Sequence, residues 1–475
     1  MKPLPLAPIV LSLFVSVIMP AASSADVRLL DAVLKGDRVG VQALLKSRVD
    51  VNTVQPDGST ALMLAAERND AEIAGLLIRA RAHVNAANEY GATALSVACA
   101  TGNVALIRLL LEAHADPNAA LLSGETPLMA AVDRGDISTA SLLLEHGAGV
   151  NAKETKGGQS ALMWAVANRS PELVKLLVDH GADTRARSKN DFTPLLFAAQ
   201  QGNVESGRIL LQAGADANER STRNGMTPLL IAAASGNNEF SMLLLERRGN
   251  PNLVDESGFT ALHYAARDRE GAAVVRALLS HGADPNLRTT RDTRANTTSG
   301  VSVKGATPLF LAASVGHVEA VRALVAGGAN PSITTDNGTA PLQVATWGGD
   351  PYFRDWTEEE KRNLFDITKL LVDLGSDVNA AGEHGWTALH GAAYKGIDPI
   401  VRFLVEHGAR TEVFDEYGQT PLSIANAVIT AGSKDAYYQS SRVVRTSTAD
   451  LLLKLGARPL SESGVTIVDL FYKQQ

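Results

Sequence analysis

The chain contains almost no cysteine and few aromatic residues. Cys99 is the single cysteine among 475 residues, so no internal disulfide can form and stability has to come from packing. Aromatic residues make up 5% of the sequence, whereas hydrophobic residues as a group make up 45%. This combination favours a core of small, interleaved leucine, alanine and valine side chains.

The chain also has no excess of positive charge. The formal net charge is −7 and the isoelectric point is about 5.8. Nucleic-acid phosphates repel a negatively charged protein, so no nucleic-acid partner is expected. A local basic strip remains compatible with this overall charge.

Long apolar runs are confined to the N-terminus. An apolar stretch, Ile9–Met19, is followed by small residues, and Ser23 and Ala25 fit a cleavage site. The run is shorter than the about 20 residues that span a bilayer, so residues 1–25 are predicted to be a secretory signal peptide. A retained N-terminal anchor is the alternative. We therefore expect a periplasmic or secreted protein without a membrane span after cleavage, in a Gram-negative bacterium or on a eukaryotic secretory route.

One repeated unit makes up most of the remaining chain. In the stretch Asp191–Asn218, Thr193 can cap a helix that begins at Pro194, and Gly202 ends that helix. A second apolar segment with helical spacing follows and ends at Gly214. Each unit is therefore expected to fold as two short helices and a turn.

The unit recurs at a nearly fixed period. Consecutive starts are 33 or 34 residues apart, except at two places where the interval is 47. The residues that occupy the position of Thr193 are Thr60, Thr93, Thr126, Ser160, Thr193, Thr227, Thr260, Thr307, Ala340, Thr387 and Thr420. A fixed period of this length is typical of repeat proteins, in which each unit packs against its neighbours.

These repeats resemble the ankyrin repeat family. The family's Thr-Pro-Leu-His signature, with a period of about 33 residues, is matched by Thr126-Pro127-Leu128, Thr193-Pro194-Leu195 and Thr260-Ala261-Leu262-His263. The resemblance covers roughly Asp26 to Ala457. It implies an all-α solenoid of stacked antiparallel helix pairs with β-turn or hairpin fingers. It also implies a concave face, made of fingers and first helices, where partners dock.

This register divides the chain into segments. Residues 1–25 form the signal peptide, 26–54 a capping repeat, 55–457 eleven repeats and 458–475 a C-terminal tail. Insertions are expected near 288–304, 349–364 and 429–446. In the second insertion, Thr357 followed by three glutamates predicts a helix start that lengthens the second helix of its repeat. The apolar tail fits either a cap over the last helices or a docking peptide.

Some residues depart from the repeat pattern. At the ends of second helices, Arg81 and Arg248 stand where other copies have glycine. Weaker helix ends are expected there, because glycine enters the left-handed conformation without steric cost. Cys99 replaces a small alanine of a first helix and is expected to be a buried free thiol.

No catalytic or metal-binding pattern accompanies the repeats. Most of the histidines fall into two columns of the array, namely His146, His180, His281 and His407, and His263 and His390. Residues in one column recur one layer apart and do not converge on one ion. No nucleophile elbow or phosphate-binding glycine loop is recognisable. We therefore expect no metal, no other cofactor and no enzyme activity; a hydrolase is a third hypothesis beside the two binding functions below.

Positions that vary between copies supply candidate binding residues. In the column after the Ala-Ala pair of each first helix stand Arg267, Trp347 and Tyr394, and Trp386 lies at the end of a finger. Aromatic and arginine side chains bury much area with few torsions to freeze, so they are common binding anchors. For Trp386, packing against neighbouring fingers is the alternative.

The middle fingers are basic, whereas later fingers are more acidic. The basic candidates are Arg185, Arg187, Arg220 and Arg223. Such a charge division would orient a complementary partner, and a solvated surface without a partner is the alternative. The sequence thus predicts a monomeric, non-catalytic scaffold for a protein partner. Binding of an anionic glycan or envelope polymer along the basic fingers is the competing function.

Overall fold

The computed structural model of the protein describes residues 26–291, 302–347, 357–427 and 444–462. The predicted signal peptide (1–25), the C-terminal tail from residue 463 onward and most of the three predicted insertions lie outside the described residues.

The described residues form twelve successive helix pairs. The first helices of the pairs are α1 (Asp26–Lys35), α3 (Ala61–Glu67), α5 (Ala94–Thr101), α7 (Pro127–Asp133), α9 (Ala161–Ala167), α11 (Pro194–Gln201), α13 (Pro228–Ala234), α15 (Ala261–Arg267), α17 (Pro308–Ser314), α19 (Pro341–Trp347), α21 (Ala388–Lys395) and α23 (Pro421–Ala425). The second helices are α2 (Arg38–Lys46), α4 (Ala71–Arg79), α6 (Val104–Glu112), α8 (Ile137–Glu145), α10 (Pro171–Asp179), α12 (Val204–Gln212), α14 (Asn238–Glu246), α16 (Ala272–Ser280), α18 (Val318–Ala326), α20 (Glu358–Asp373), α22 (Asp398–Glu406) and α24 (Thr446–Lys454). The predicted class, an all-α repeat solenoid, is confirmed.

Helix boundaries follow the capping chemistry read from the sequence. At the start of α11, the Thr193 hydroxyl accepts a hydrogen bond from the N–H of Leu196 at 3.3 Å, and Pro194 occupies the first position. Gly202 ends α11 with φ of 65°, a left-handed conformation. Seven or eight residues are enough for each of the first helices α3 to α21, because neighbouring repeats bury their apolar sides.

The core consists of small aliphatic side chains. Leu195, Ala198 and Ala199 of α11 are each 0% exposed, and most of the equivalent residues of the other first helices are buried as well. Cys99 of α5 is also buried and is a free thiol, as predicted. Burial raises the pKa of Cys99 to about 12, so the thiol is not a nucleophile at neutral pH.

Contacts divide the chain into two compact units, with the boundary inside the fourth repeat. The first unit extends to Trp164 and includes Asp179–Gly181, and the second consists of Ala165–Val178 and the residues from Ala182 onward. All candidate binding residues of the sequence analysis therefore belong to the second unit.

Helix α20 is lengthened at its N-terminus, as predicted. It has 16 residues, whereas α18 and α22 have nine each. The Thr357 hydroxyl accepts from the N–H of Glu360 at 3.2 Å, and the Glu360 carboxylate accepts from the N–H of Thr357 at 3.0 Å. This reciprocal capping box starts the helix. Among the described helices, even this longest one lacks the length and apolar character needed to cross a membrane.

Candidate partner-binding face

An asparagine ladder joins consecutive fingers. The Asn218 side chain donates to the carbonyl of Arg248 at 3.1 Å and accepts from the N–H of Asn250 at 2.6 Å. The same pair of bonds to the following repeat is made by Asn85, Asn118, Asn252, Asn286 and Asn379. The ladder fixes each finger on the next, so side chains on the fingers have defined positions.

The basic candidates lie on fingers of the second unit and donate hydrogen bonds to neighbouring repeats. Arg185 occupies a ladder position and donates to the carbonyl of Gly214 at 3.3 Å. Arg187 donates to the carbonyl of Arg220, and Arg223 to that of Lys189, at 3.1 and 2.9 Å. Arg220 donates to the carbonyl of Val254 at 2.5 Å. We call Arg185, Arg187, Arg220 and Arg223 the basic strip; its guanidinium groups hold neighbouring fingers together as well as carrying charge.

Two acidic side chains lie within the basic strip, which the sequence analysis missed. Asp191 pairs with Arg187 at 2.9 Å. Burial by itself would raise the pKa of Asp191, but hydrogen bonds from Thr222 and Arg187 lower this pKa below its usual value. Glu219 accepts a hydrogen bond from the Thr193 hydroxyl, and burial raises its pKa to about 7. The strip is therefore less positive than its arginines alone suggest.

Arg267 ends α15 beside Tyr264. It is half-buried, and burial lowers the pKa of its guanidinium. The Tyr264 hydroxyl donates to Asp255 at 2.6 Å. Arg267 therefore lies in a packed polar environment of its own repeat.

The aromatic candidates, in contrast, come together in one aromatic cluster, which consists of Trp347, Trp386 and Tyr394. The Trp386 ring lies between the other two, with centroid distances of 5.1 Å to Trp347 and 5.8 Å to Tyr394. Interplanar angles of 42° and 60° give tilted contacts of the kind that aromatic pairs favour. Trp347 and Tyr394 are half-buried, so part of each ring reaches solvent.

A glycine in α21 lets the aromatic cluster form. A Cβ atom on Gly391 would lie 2.8 Å from the Thr346 hydroxyl oxygen and 3.1 Å from the Trp347 Cβ. Only a residue without a side chain therefore allows α21 to approach α19 this closely. The approach brings Trp347, at the end of α19, beside residues that belong to the next repeat.

Trp386 supports the aromatic cluster, and the prediction that it is a binding anchor needs correction. Its side chain is 3% exposed. Its indole N–H donates to the buried carboxylate of Asp415 at 3.0 Å, and its ring stacks on His390 with a centroid distance of 6.1 Å. The alternative recognised in the sequence, packing between neighbouring fingers, describes its position. The surface that a partner can reach belongs to Trp347 and Tyr394.

The histidine columns have structural partners. Thr260 N–H donates to Nδ1 of His263 at 3.1 Å, and Nε2 of His263 lies 3.2 Å from the carbonyl of Ala306 in the next repeat. His390 makes the equivalent bonds to Thr387 and Gln419. Burial lowers the pKa of both histidines to about 4. In the other column, Nδ1 of His146, His281 and His407 bonds to a carbonyl four residues earlier, within 2.9 Å.

A polar cleft of about 770 Å³ lies where the lengthened α20 faces α18. Its charged lining consists of Arg269, Arg322, Glu319, Glu359, Glu360 and Asp366. Arg322 pairs with Glu319 at 3.7 Å and with Asp366 at 3.9 Å, so part of the acidic charge of the cleft is compensated. Within the described parts of the chain, no group of three or more His, Cys, Asp or Glu residues is placed to hold a metal ion.

Stacked helix pairs with fingers fixed by a side-chain ladder define a solenoid, a class of repeat protein whose extended surfaces serve binding. The family described as "Ankyrin repeats (3 copies)" matches residues 29–121, 115–188, 195–289 and 359–435, and "Ankyrin repeat" matches 304–336. The chain belongs to the ankyrin repeat family.

Several proteins with ankyrin repeats are similar to parts of this chain. Ankyrin repeat and SOCS box protein 16 of Homo sapiens is 29% identical over 232 residues, which are 49% of this chain and 47% of that protein. The B-cell lymphoma 3 protein homolog of Mus musculus is 33% identical over 182 residues, 38% of this chain and 35% of that protein. The crystal structure of the human ASB11 ankyrin repeat domain aligns with 47% of this chain and 98% of its own, with 29% identity and a TM-score of 0.41. The chain spans less than half of the length of the curated relatives it matches.

Proposed function

We propose that this protein is a non-catalytic, monomeric scaffold that acts outside the cytoplasm and holds a protein partner. The partner docks on the face formed by the fingers and first helices of the second unit. The observation that carries the proposal is the aromatic cluster: Trp347 and Tyr394 are half-buried and pack on Trp386, which a buried hydrogen bond to Asp415 holds in place. Rings fixed in this way lose little entropy on binding, which is a property of binding hot spots.

The test is affinity capture with the full chain from the matching extracytoplasmic extract. Trp347→Ala combined with Tyr394→Ala is expected to lose the captured protein, because the accessible anchor is removed. Phe365→Ala combined with Phe403→Ala is the matched control, since these half-buried rings pair at 5.6 Å on second helices. Capture that survives the first pair of substitutions, or is lost equally with the control pair, would reject this face.

The basic strip supports a second candidate, binding of an anionic glycan or envelope polymer. Arg185 stands at a ladder position that asparagine occupies in other repeats. A guanidinium can donate as asparagine does, but it cannot accept the hydrogen bond from the N–H of the next finger. The loss of this bond favours a binding role for the positive charge of Arg185. Arg220 and Arg223 are exposed. Retention of the protein on an immobilised sulfated polysaccharide should fall steeply as the salt concentration rises. It should also fall in the variant that combines Arg185→Asn with Arg223→Ala. Arg185→Asn restores the ladder residue, so unchanged retention in this variant would exclude the strip.

A further inference from the structure

Two large apolar side chains are exposed on neighbouring fingers of the first unit. Leu122, on the finger before α7, is 74% exposed, and Tyr90, on the finger before α5, is 56% exposed. The N–H of Leu122 donates to the carbonyl of Tyr90 at 3.0 Å, so the two residues are direct neighbours across the fingers. We call Tyr90 and Leu122 the fingertip pair.

The backbone holds the fingertip pair in place. A hydrogen bond closes the turn at each tip, from the N–H of Gly91 to the carbonyl of Asn88 at 2.9 Å, and from that of Gly124 to that of Leu121 at 2.8 Å. A Cβ atom on Gly91 would lie 3.0 Å from the backbone nitrogen of Leu122, so glycine lets the two fingers lie this close together. Binding to such a preformed surface orders little additional backbone.

Leucine is unusual at its position in the finger. Leu122 stands two residues before the glycine of the turn, where most other fingers carry a charged residue. The charged residues at this position are Glu89, Lys156, Arg223, Glu256, Asp336, Glu383 and Glu416. The other apolar residues there are Pro56 and Val303, and Val303 is buried. An exposed leucine beside an exposed tyrosine contributes little to the fold of its own repeat, and it is typical of a contact with another molecule.

The charge around the fingertip pair is acidic. The first three fingers, residues 50–59, 83–92 and 116–125, contain no lysine or arginine, whereas their acidic residues are Asp50, Asp57, Glu89, Asp116 and Glu125. The N–H of Glu89 donates to the carbonyl of Asp57 at 2.9 Å. A hydrogen bond with Glu89, the negative charge of Glu89 and that of Asp57 raise the pKa of the Tyr90 hydroxyl. Both carboxylates therefore lie close to the exposed ring.

Positive charge begins on the fourth finger. The N–H of Thr155 donates to the carbonyl of Ser123 at 2.7 Å, so this finger borders the third, and its Lys156 is exposed. Charge consequently changes sign along the finger tips, from Asp57 and Glu89 on one side of the fingertip pair to Lys156 on the other. Such an arrangement orients a bound segment with its basic residues over the first two fingers.

We propose that the fingertip pair binds an extended segment of a partner protein in which apolar side chains are followed by lysine or arginine. The apolar side chains cover Tyr90 and Leu122, and the basic side chains lie over Asp57 and Glu89. An anionic membrane surface fits less well, because these carboxylates would repel its headgroups. All of these residues belong to the first unit, whereas the aromatic cluster belongs to the second, so this surface is additional to that of the proposed function.

The test uses the full chain and three fluorescently labelled Gly/Ser peptides. The first peptide carries two leucines followed by two lysines, the second has glutamates in place of the lysines, and the third has serines in place of the leucines. In anisotropy titrations, the first peptide is expected to bind at least about 10-fold more tightly than either of the others.

Substitutions in the chain assign the binding to this surface. Leu122→Ser should weaken binding of the leucine–lysine peptide at least about 10-fold, because the apolar contact is lost. Glu89→Gln should weaken it about 2- to 5-fold and reduce its dependence on salt. Val39→Ser is the matched control, since Val39 is 78% exposed on α2 of the same unit and should leave the affinity unchanged. Thermal unfolding verifies that each variant is folded.

Three outcomes would overturn the proposal: equal binding of the three peptides, selectivity that survives Leu122→Ser, or a loss of affinity with Val39→Ser that equals the loss with Leu122→Ser. Self-association in sedimentation, or binding to zwitterionic lipid vesicles, that disappears with Leu122→Ser would also overturn it, because the tips would then contact a second copy or a bilayer. Trp347→Ala combined with Tyr394→Ala should leave the peptide selectivity intact. Failure of the proposed function and failure of this inference are therefore distinguishable.

Discussion

At the scale of single residues, nine described residues other than glycine have a left-handed backbone conformation, which usually belongs to glycine. Among these, Arg81, His114 and Arg248 follow the second helices α4, α6 and α14, with φ of 67°, 64° and 63°. The sequence indicated the first and last of these positions, whereas His114 was recognised only in the structure. A left-handed backbone costs an L-residue roughly 1–2 kcal/mol, so each of these helix ends stores some strain.

We expect Arg248→Gly to raise the free energy of unfolding by about 1 kcal/mol, because glycine removes the steric cost of the left-handed conformation. Arg247→Gly is the control. Its φ is −100°, so glycine gains nothing there and adds disorder to the unfolded chain. Urea unfolding of both variants is the measurement, and a loss of stability in both would contradict this explanation.

At the scale of helices, two glycines inside helices differ in how much space surrounds them. Gly391 of α21 lies against the backbone and side chains of α19, as described above. Gly75 of α4 has more space, since its added Cβ would meet only the flexible Arg79 guanidinium at 3.4 Å and Leu109 at 3.8 Å. The packing of the aromatic cluster thus depends on one helix contact that a methyl group would disturb.

Substitution of Gly75 and Gly391 by alanine should separate the contribution of packing to stability from that of helix propensity. Gly75→Ala is expected to stabilise the protein by up to about 1 kcal/mol, because alanine favours the helix. Gly391→Ala carries the same propensity gain, but the overpacked contact should lower stability by about 1–3 kcal/mol and shift the fluorescence of the tryptophans. Thermal unfolding and emission spectra provide the comparison, and equal gains in both variants would show that α21 can move away without cost.

At the scale of the whole molecule, buried histidines are distributed unequally. His263 and His390 both belong to the second unit and occupy the fourth position of their repeat motif. In the first unit, the same position holds Met63, Ser96, Met129 and Met163, which do not titrate. Acid should therefore act differently on the two units.

The direction of the pH effect on stability follows from the lowered pKa values of His263 and His390. Between pH 6.5 and about 4 the unfolded chain binds protons at both histidines, whereas the folded second unit does not, so stability falls as the pH falls. Each histidine contributes about 3 kcal/mol to this loss by pH 4. Glu219 and Asp415 act in the opposite direction, because burial raises their pKa values and protonation then favours the folded state. His317, whose pKa burial lowers, acts in the same direction as His263 and His390.

We expect hydrogen exchange at pH 4.5 to show lost protection in the second unit and retained protection in the first. The chain supplies a non-titrating replacement: Gln343 accepts from the N–H of Ala340 and donates to the carbonyl of Ala380, both at 2.7 Å. His263→Gln combined with His390→Gln should therefore keep the bridging bonds and move the acid transition to lower pH. An unchanged transition, or equal loss in both units, would contradict the assignment.

The amino-acid sequence by itself determined the period, the helix pairs, the caps such as Thr193 and Thr357, and the burial of Cys99. These features depend on spacing and capping within one repeat, which are local and recur in every copy. The tertiary structure decided which candidate side chains a partner can reach. Trp386 is buried, Asp191 and Glu219 compensate part of the basic strip, and Gly391 brings Trp347 beside the next repeat. The physical reason is that exposure and charge at these residues depend on contacts between repeats, which arise only when the helix pairs stack.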